Sequence, residues 1–446
     1  MKTSVLQEVG IDQKAALDEQ SSGLERVSLP KLPDIQSHAL IVSGIRRCGK
    51  STLLHQFVKK LGRPFFYFNF DDLRLFDFSP ADFELLDRVI AESGARLLFF
   101  DEVQSAEHWE LYVRQKLDEG FQVIVTGSNA SLLSRELGSK LTGRHLSKEL
   151  FPFSYDEFCR FTGQAAGAIP AGCAAPTGCA APAGCAESLD AYLEKGGFPE
   201  YLKTNNAEIL TQLQQDILYR DIAVRYGLRD AASLHRLFVY LVSNAAQLVS
   251  PSKLLSVAGV KSATTVLEYF SYFEAAYLIH LVPCFAWSVK AQSLAPKKLY
   301  VADPGIIKTG TASFTGNQGG LLENFVFTGL RPYTRDLFYF ANEEGECDFI
   351  VNPHGKRPCC VQVTLELTAD NEGREVQGLL AALKFFDLDG GIILTRNTED
   401  LILKQGKRIQ VVPAWKYDFA GVENDRGASF RNVTFDYGCL ISKKYL

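Results

Sequence analysis

The chain has 446 residues, too many for one ordinary hydrophobic core, so roughly two to four domains are expected. Hydrophobic residues make up 46% and charged residues 22%, a profile that excludes a disordered chain. A net charge of -5 excludes a global basic field, so any nucleic-acid contact has to come from a local patch. No apolar run approaches the ~18 residues of a membrane helix. The stretch from Met1 to Glu8 has no apolar core, so the expected setting is cytoplasmic, with no membrane partner.

Residues 1–37 read as a helical lead-in. From His38 the pattern alternates strand and helix: strand Ala39–Ser43, helix Lys50–Leu61, strand 64–70, helix 80–93, strand 96–100, helix 108–119 and strand 121–126. Repeated alternation with buried strands predicts an α/β fold with a parallel sheet covered on both faces, whose ligands sit beyond the carboxyl ends of the strands.

Between the first strand and helix lies Gly44-Ile45-Arg46-Arg47-Cys48-Gly49-Lys50-Ser51-Thr52, a G-x-x-x-x-G-K-S phosphate loop. Its glycines let backbone N–H groups wrap a phosphate, Lys50 reaches the outer phosphates, and Ser51 supplies a hydroxyl to Mg²⁺. Arg46 and Arg47 stand open between phosphate contact and solvated loop charge. The strand 96–100 runs into Asp101-Glu102, where Asp101 is placed to hold the Mg²⁺ shell and Glu102 to polarise an attacking water. The two motifs together predict a nucleotide hydrolase using ATP and Mg²⁺.

Residues 163–187 carry three Pro-Ala/Thr-Gly-Cys-Ala hexads with Cys173, Cys179 and Cys185. Ala, Gly and Pro offer little apolar area, and three thiols without a fourth ligand make a poor metal site, so a surface loop is expected. Residues 188–247 are helical, with Leu210, Leu213, Ile217, Leu218 and Ile222 at helical spacing. Residues 250–280 read as helix-turn-helix, the second helix burying Val266, Phe270 and Phe273 and exposing Thr264, Thr265, Glu268, Tyr269 and Tyr272. That face is poor in Arg, Lys, Asn and Gln, so base readout is weakly supported. Residues 278–282 and 298–301 would form a wing. A last α/β region follows, with a helix at 321–330, strands at 337–341, 347–351 and 360–365, a helix at 374–386, and strands at 392–395 and 409–412.

The phosphate-loop run through Leu54, the strand end Leu98 to Gln104, and Val125-Thr126-Gly127-Ser128-Asn129 resemble the prokaryotic AAA-type P-loop ATPases that carry a C-terminal domain of unknown function. Leu141-Thr142-Gly143-Arg144, Phe151 to Phe158 and Gly196-Gly197-Phe198-Pro199-Glu200 strengthen the resemblance. It implies an AAA+ core (38–162), a helical lid (188–247), a winged-helix element (248–310), a PD-(D/E)xK nuclease-like domain (311–416) and a tail (417–446). It also implies that Ser128 or Asn129 is the polar sensor and that Arg144 reads phosphate charge, in the same chain or from a neighbouring subunit. In the nuclease-like domain Glu323 and Asp348 occupy acidic positions, but E-x-K reads Gln362-Val363-Thr364, which removes a metal-binding charge and the activating lysine. Glu366, by period-two alternation, would share the face of Gln362 and Thr364.

The leading expectation is an ATP-driven switch moving the winged-helix and C-terminal domains. The alternatives are an ATP-gated DNA binder or nuclease, and a nucleotide-dependent protein-interaction switch with little turnover. A homo-oligomer or protein partner is compatible with each.

Overall fold

The computed structural model describes residues 1–128, 143–164, 184–311, 317–355 and 358–422. The chain forms two compact units, one of residues 1–153, 198–240 and 251–280, the other of residues 154–197, 241–250 and 281–446. Among the described residues no helix is long and apolar enough to cross a membrane.

In the first unit, strands β1 (Ala39–Ser43), β2 (Phe65–Asn69), β3 (Leu97–Asp101), β4 (Gln122–Gly127) and β5 (His145–Glu149) form one parallel sheet in the order β2-β3-β4-β1-β5. Every residue of β1 and β3 is buried, as expected of strands covered on both faces. Helices α1 (Thr3–Glu19), α2 (Lys50–Leu61), α3 (Phe83–Ser93) and α4 (Trp109–Asp118) connect and flank them. Leu6 and Val9 of α1 join Phe66, Phe68, Phe100, Leu86, Trp109 and Tyr112 in one core, so the lead-in helix belongs to the sheet's packing. The order seats β4 between β3 and β1, which sets the ends of the three motif-bearing strands side by side.

Strand β5 was not expected. Its sequence, His145 to Glu149, is polar and its three middle residues are exposed, so an edge strand here carries no apolar signal.

The helical segment of this unit runs through Glu208–Gln215 into a π-helical stretch, Asp216–Val224, and buries Leu210, Leu213, Ile217, Leu218 and Ile222 as the spacing requires. Helix Ala263–Ala275, capped by Ser262, buries Val266, Phe270 and Phe273. Tyr269, expected on the exposed face, is buried as well, because the apolar stripe is wide enough to include the position three residues after Val266.

In the second unit a six-stranded mixed sheet is built from Leu337–Asn342, Gly345–Val351, Cys359–Val363, Gly390–Thr395, Asp400–Lys404 and Lys407–Pro413. Cys359–Val363 and Gly390–Thr395 run parallel, and helix Glu372–Phe385 makes the crossover between them. Val376, Leu379, Leu380 and Leu383 face a core with Ile350, Cys360, Ile393 and Ile409. The short strand Leu248–Val249 pairs antiparallel with Lys297–Val301. Asp400–Lys404 is a strand the sequence reading missed, and most of its residues are exposed.

Two expectations are corrected here. Cys185 is buried at the start of helix Cys185–Lys195 rather than lying in the hexad loop, while Cys173 and Cys179 fall outside the described residues. The strand that carries Gln362 ends at Val363, so alternation does not reach Glu366. Glu366 is exposed, and its carbonyl accepts from Thr364 Oγ1 at 3.3 Å and Asn371 Nδ2 at 2.8 Å.

Candidate nucleotide-binding site

The chain leaves β1 at Ser43 and turns through the phosphate loop into α2. Gly44 is obligatory at its position: its φ is +154°, and a Cβ there would lie 2.1 Å from the Leu150 carbonyl oxygen. Gly49, at φ +98°, is the N-cap of α2 and offers no side chain to the helix's first amides, so those donors and the positive helix end remain available to an anion. Lys50 is buried, and its ammonium donates to the carbonyls of Gly44 at 3.1 Å and Ile45 at 3.2 Å, folded over the loop it belongs to. Ile45 and Cys48 are buried beneath the loop, and Cys48 Sγ reaches the Leu150 carbonyl at 3.4 Å. Thr52 lies in the first turn of α2.

Arg26, which the motif reading passed over, braces the loop from behind. Its guanidinium donates to the carbonyls of Cys48 at 2.9 Å and Phe151 at 2.8 Å. Nothing in its local sequence marks it, since the contact depends on chain segments far from it.

Strand order places Asp101 and Glu102, at the end of β3, next to Gly127-Ser128, at the end of β4. Asp101 is buried, and its oxygens accept from Thr126 Oγ1 and from Tyr67 OH, the latter at 3.0 Å. Burial pushes the Asp101 carboxyl above its ordinary range and the adjacent Glu102 charge adds to this, while donors on Thr126, Ser51 and Tyr67 oppose it. Ser51 and Asp101, the two residues expected at a metal, are thus brought together.

Glu102 has a left-handed backbone, φ +46°, and its N–H donates to Thr126 Oγ1 at 2.9 Å. Thr126 therefore ties the two carboxylate residues to β4 with a single hydroxyl. For the Glu102 carboxyl, burial acts to raise the pKa, but the Lys50 charge, the Gln104 donor, Arg46 and Ser128 outweigh it and hold the group below its usual range. Ser128, one of the two expected sensors, is buried and linked through Gln104 to Glu102. Asn129, the other expected sensor, lies outside the described residues.

Both loop arginines face carboxylates, Arg46 half-buried and Arg47 exposed. Arg46 donates to Asp221 at 3.1 and 3.4 Å, and Arg47, at φ +61°, lies 3.5 Å from Glu200 and 3.7 Å from Asp216. Helical-segment carboxylates thus hold the phosphate loop's variable positions.

Arg144 does not join this site. Its carbonyl accepts from Ala39 N–H at 3.1 Å, which fixes it at the amino end of β1, and its guanidinium pairs with Asp118 at the end of α4. In a parallel sheet that edge is a full strand length from Gly44. The expectation that Arg144 reads phosphate within its own chain is corrected accordingly.

The acidic positions of the second unit converge on a cation supplied by the chain. Lys298 Nζ lies 2.6 Å from Asp348 and 3.0 Å from both Glu323 and Glu346, and it is almost fully buried. Gln362 receives Asp348 N–H at 3.2 Å and donates to Glu375 at 2.7 Å, while Thr364 bonds its own turn. Among the described residues no group of three or more His, Cys, Asp or Glu side chains is arranged to hold a metal ion.

Comparison with known proteins agrees with this geometry. An AAA domain family matches residues 36–159, and a domain of unknown function, DUF8612, matches residues 186–313. The uncharacterized protein MJ1544 of Methanocaldococcus jannaschii is 32% identical over 397 residues, covering 84% of this chain and 87% of the relative. An uncharacterized protein of Haemophilus influenzae is 28% identical over 329 residues, covering 70% and 78%. The solved structure of AMPPCP-bound DnaA from Aquifex aeolicus overlaps 60% of this chain and 88% of its own at 16% identity, with a TM-score of 0.25, too low to speak for a shared architecture. The chain belongs to the family of MJ1544, and its own residues 36–159 match an AAA-type domain.

Proposed function

We propose that this protein is a Mg²⁺-dependent ATPase whose nucleotide state is passed to its helical, winged-helix-like and C-terminal parts. The observation that carries the reading is the convergence of Lys50, Ser51, Asp101, Glu102 and Ser128 at the carboxyl ends of three adjacent strands. The residues fit a magnesium-bound triphosphate. The first amides of α2 have no side-chain cap, and a buried carboxylate stands beside the Ser51 hydroxyl. Gly44 to Thr52 would wrap the phosphates, with Lys50 exchanging its two carbonyl partners for phosphate oxygens. Ser51 and Asp101 would hold the metal, which when bound neutralises charge on the outer phosphates. Glu102, kept anionic by Lys50, would orient the attacking water and take its proton. Arg144, at the far end of β1 from the phosphate loop, would act on a neighbouring subunit's nucleotide.

The chain passes between the two units at 153/154, 197/198, 240/241, 250/251 and 280/281, which supports mechanical coupling. In the second unit the order helix Gln318–Leu330, three strands, helix Glu372–Phe385, strand supports the nuclease-like fold. The Lys298 ammonium among its acidic groups argues against cleavage and for a binding or structural role. MgATP turnover measured with and without DNA at several salt concentrations tests the reading. Turnover by the wild type is expected, and its absence in every condition would leave only a nucleotide-binding switch. Salt-sensitive stimulation by DNA would favour the DNA-binding alternative.

A further inference from the structure

We propose that Gln104 is a second catalytic residue for ATP hydrolysis, fixing Glu102 through its amide nitrogen and receiving a hydrogen of the attacking water at its amide oxygen. The proposal rests on the reading of Glu102 given above.

Gln104 lies in the 3₁₀ turn Val103–Ser105, which follows β3 directly and begins from the left-handed backbone of Glu102. That turn sends the chain back over the strand end, so two residues separated by one position direct their side chains to the same place. Gln104 Nε2 donates to Glu102 Oε2 and also approaches Ser128 Oγ at 3.3 Å. An ionised carboxylate can only accept, so the nitrogen has to face Glu102, and this fixes the orientation of the amide. Its oxygen, Oε1, is then the atom left over. It is buried and has no hydrogen-bond partner among the described residues.

A buried amide oxygen without a donor is uncommon and calls for a reason. Here the orphan acceptor lies beside the carboxylate assigned to polarise water, on a side chain that also touches the sensor serine. A water molecule has two hydrogens. Glu102 takes one as a proton while the water oxygen attacks the γ-phosphorus, and the bond to the departing ADP oxygen breaks. The second hydrogen needs an acceptor that orients without deprotonating, and a neutral amide oxygen is such an acceptor. The link to Ser128 lets the same amide feel the sensor strand, so β3 and β4 would align the water together.

The test uses the full chain and the variant Gln104→Met, which keeps most of the volume and loses both amide groups. Expected is a fall in kcat of about 10²-fold, at the lower end for lost acid–base assistance, with the Kd for a fluorescent ADP analogue and Mg²⁺ unchanged. Combined with Glu102→Gln, the substitution should cost nothing further to within about twofold, because both groups serve one water. A merely structural defect would instead weaken nucleotide binding or add to the Glu102→Gln loss, and either result overturns the proposal. Wild-type kcat in Gln104→Met while Glu102→Gln is inactive would overturn it alone. Wild-type turnover in Glu102→Gln would bring down the parent reading as well.

Discussion

Lys298 Nζ lies 2.6 Å from Asp348 Oδ1 inside the second unit, and the same ammonium also reaches Glu323 and Glu346. Burial alone would disfavour the charged lysine, but three carboxylates, Asp348 foremost, raise its pKa well above the ordinary value. A chain-borne cation thus occupies the point on which these acidic side chains converge. Purified protein with Mg²⁺ or Mn²⁺ is therefore expected to leave single- and double-stranded DNA intact. Metal-dependent cleavage that Asp348→Ala abolishes would contradict this.

The same cluster yields a stability prediction. Lys298→Met leaves buried carboxylates without their counter-charge, and breaking such a pair costs about 3–5 kcal/mol. Glu346, the most exposed of the three, contributes least to this. Denaturant melts should show the loss, while ATP hydrolysis at temperatures where the variant is folded should persist. A variant as stable as the wild type would mean that the ion cluster holds nothing together.

Lys50→Ala removes the ammonium that closes over the phosphate loop. MgATP binding should weaken severely in a variant that still folds, because the ammonium expected to pair with the outer phosphates is lost. Calorimetry checks this, and an unchanged affinity in a folded variant would remove the phosphate-loop assignment.

Thr126→Val keeps the shape of a residue that is fully buried but deletes the hydroxyl joining Glu102 N–H to the Asp101 carboxylate. One buried N–H and one carboxylate oxygen lose their partner, a cost of about 1–3 kcal/mol. Hydrolysis should also fall, because the left-handed turn that aims Glu102 loses its tether. A melting temperature and a rate both equal to wild type would show that Thr126 is a passive strand residue.

How much of this was legible follows from where each signal resides. Strand β1, helix α2 and strand β3 announce themselves, since apolar runs bounded by a glycine loop or paired carboxylates need no distant information. Strand β5 does not, because an edge strand made of His145, Leu146, Ser147, Lys148 and Glu149 reads as loop. Gln104 was visible within the strand-end motif, but its role depends on a 3₁₀ turn that no periodicity reveals. Arg144 was misplaced for a related reason. Its position after β4 suggests proximity to phosphate, whereas the parallel return of β5 sets it at the opposite end of the strands, beside the start of β1. Lys298 stands 50 residues from Asp348 in sequence, so its capture of the acidic positions is a tertiary fact.

The central claim is that Glu102 does chemistry that nucleotide binding does not need. Single-turnover hydrolysis of MgATP by the wild type and by Glu102→Gln, with nucleotide affinity measured on both, tests it most directly. Near-equal affinity is expected, with hydrolysis slower by at least ~10²-fold in the variant. Equal rates in the two proteins would contradict it.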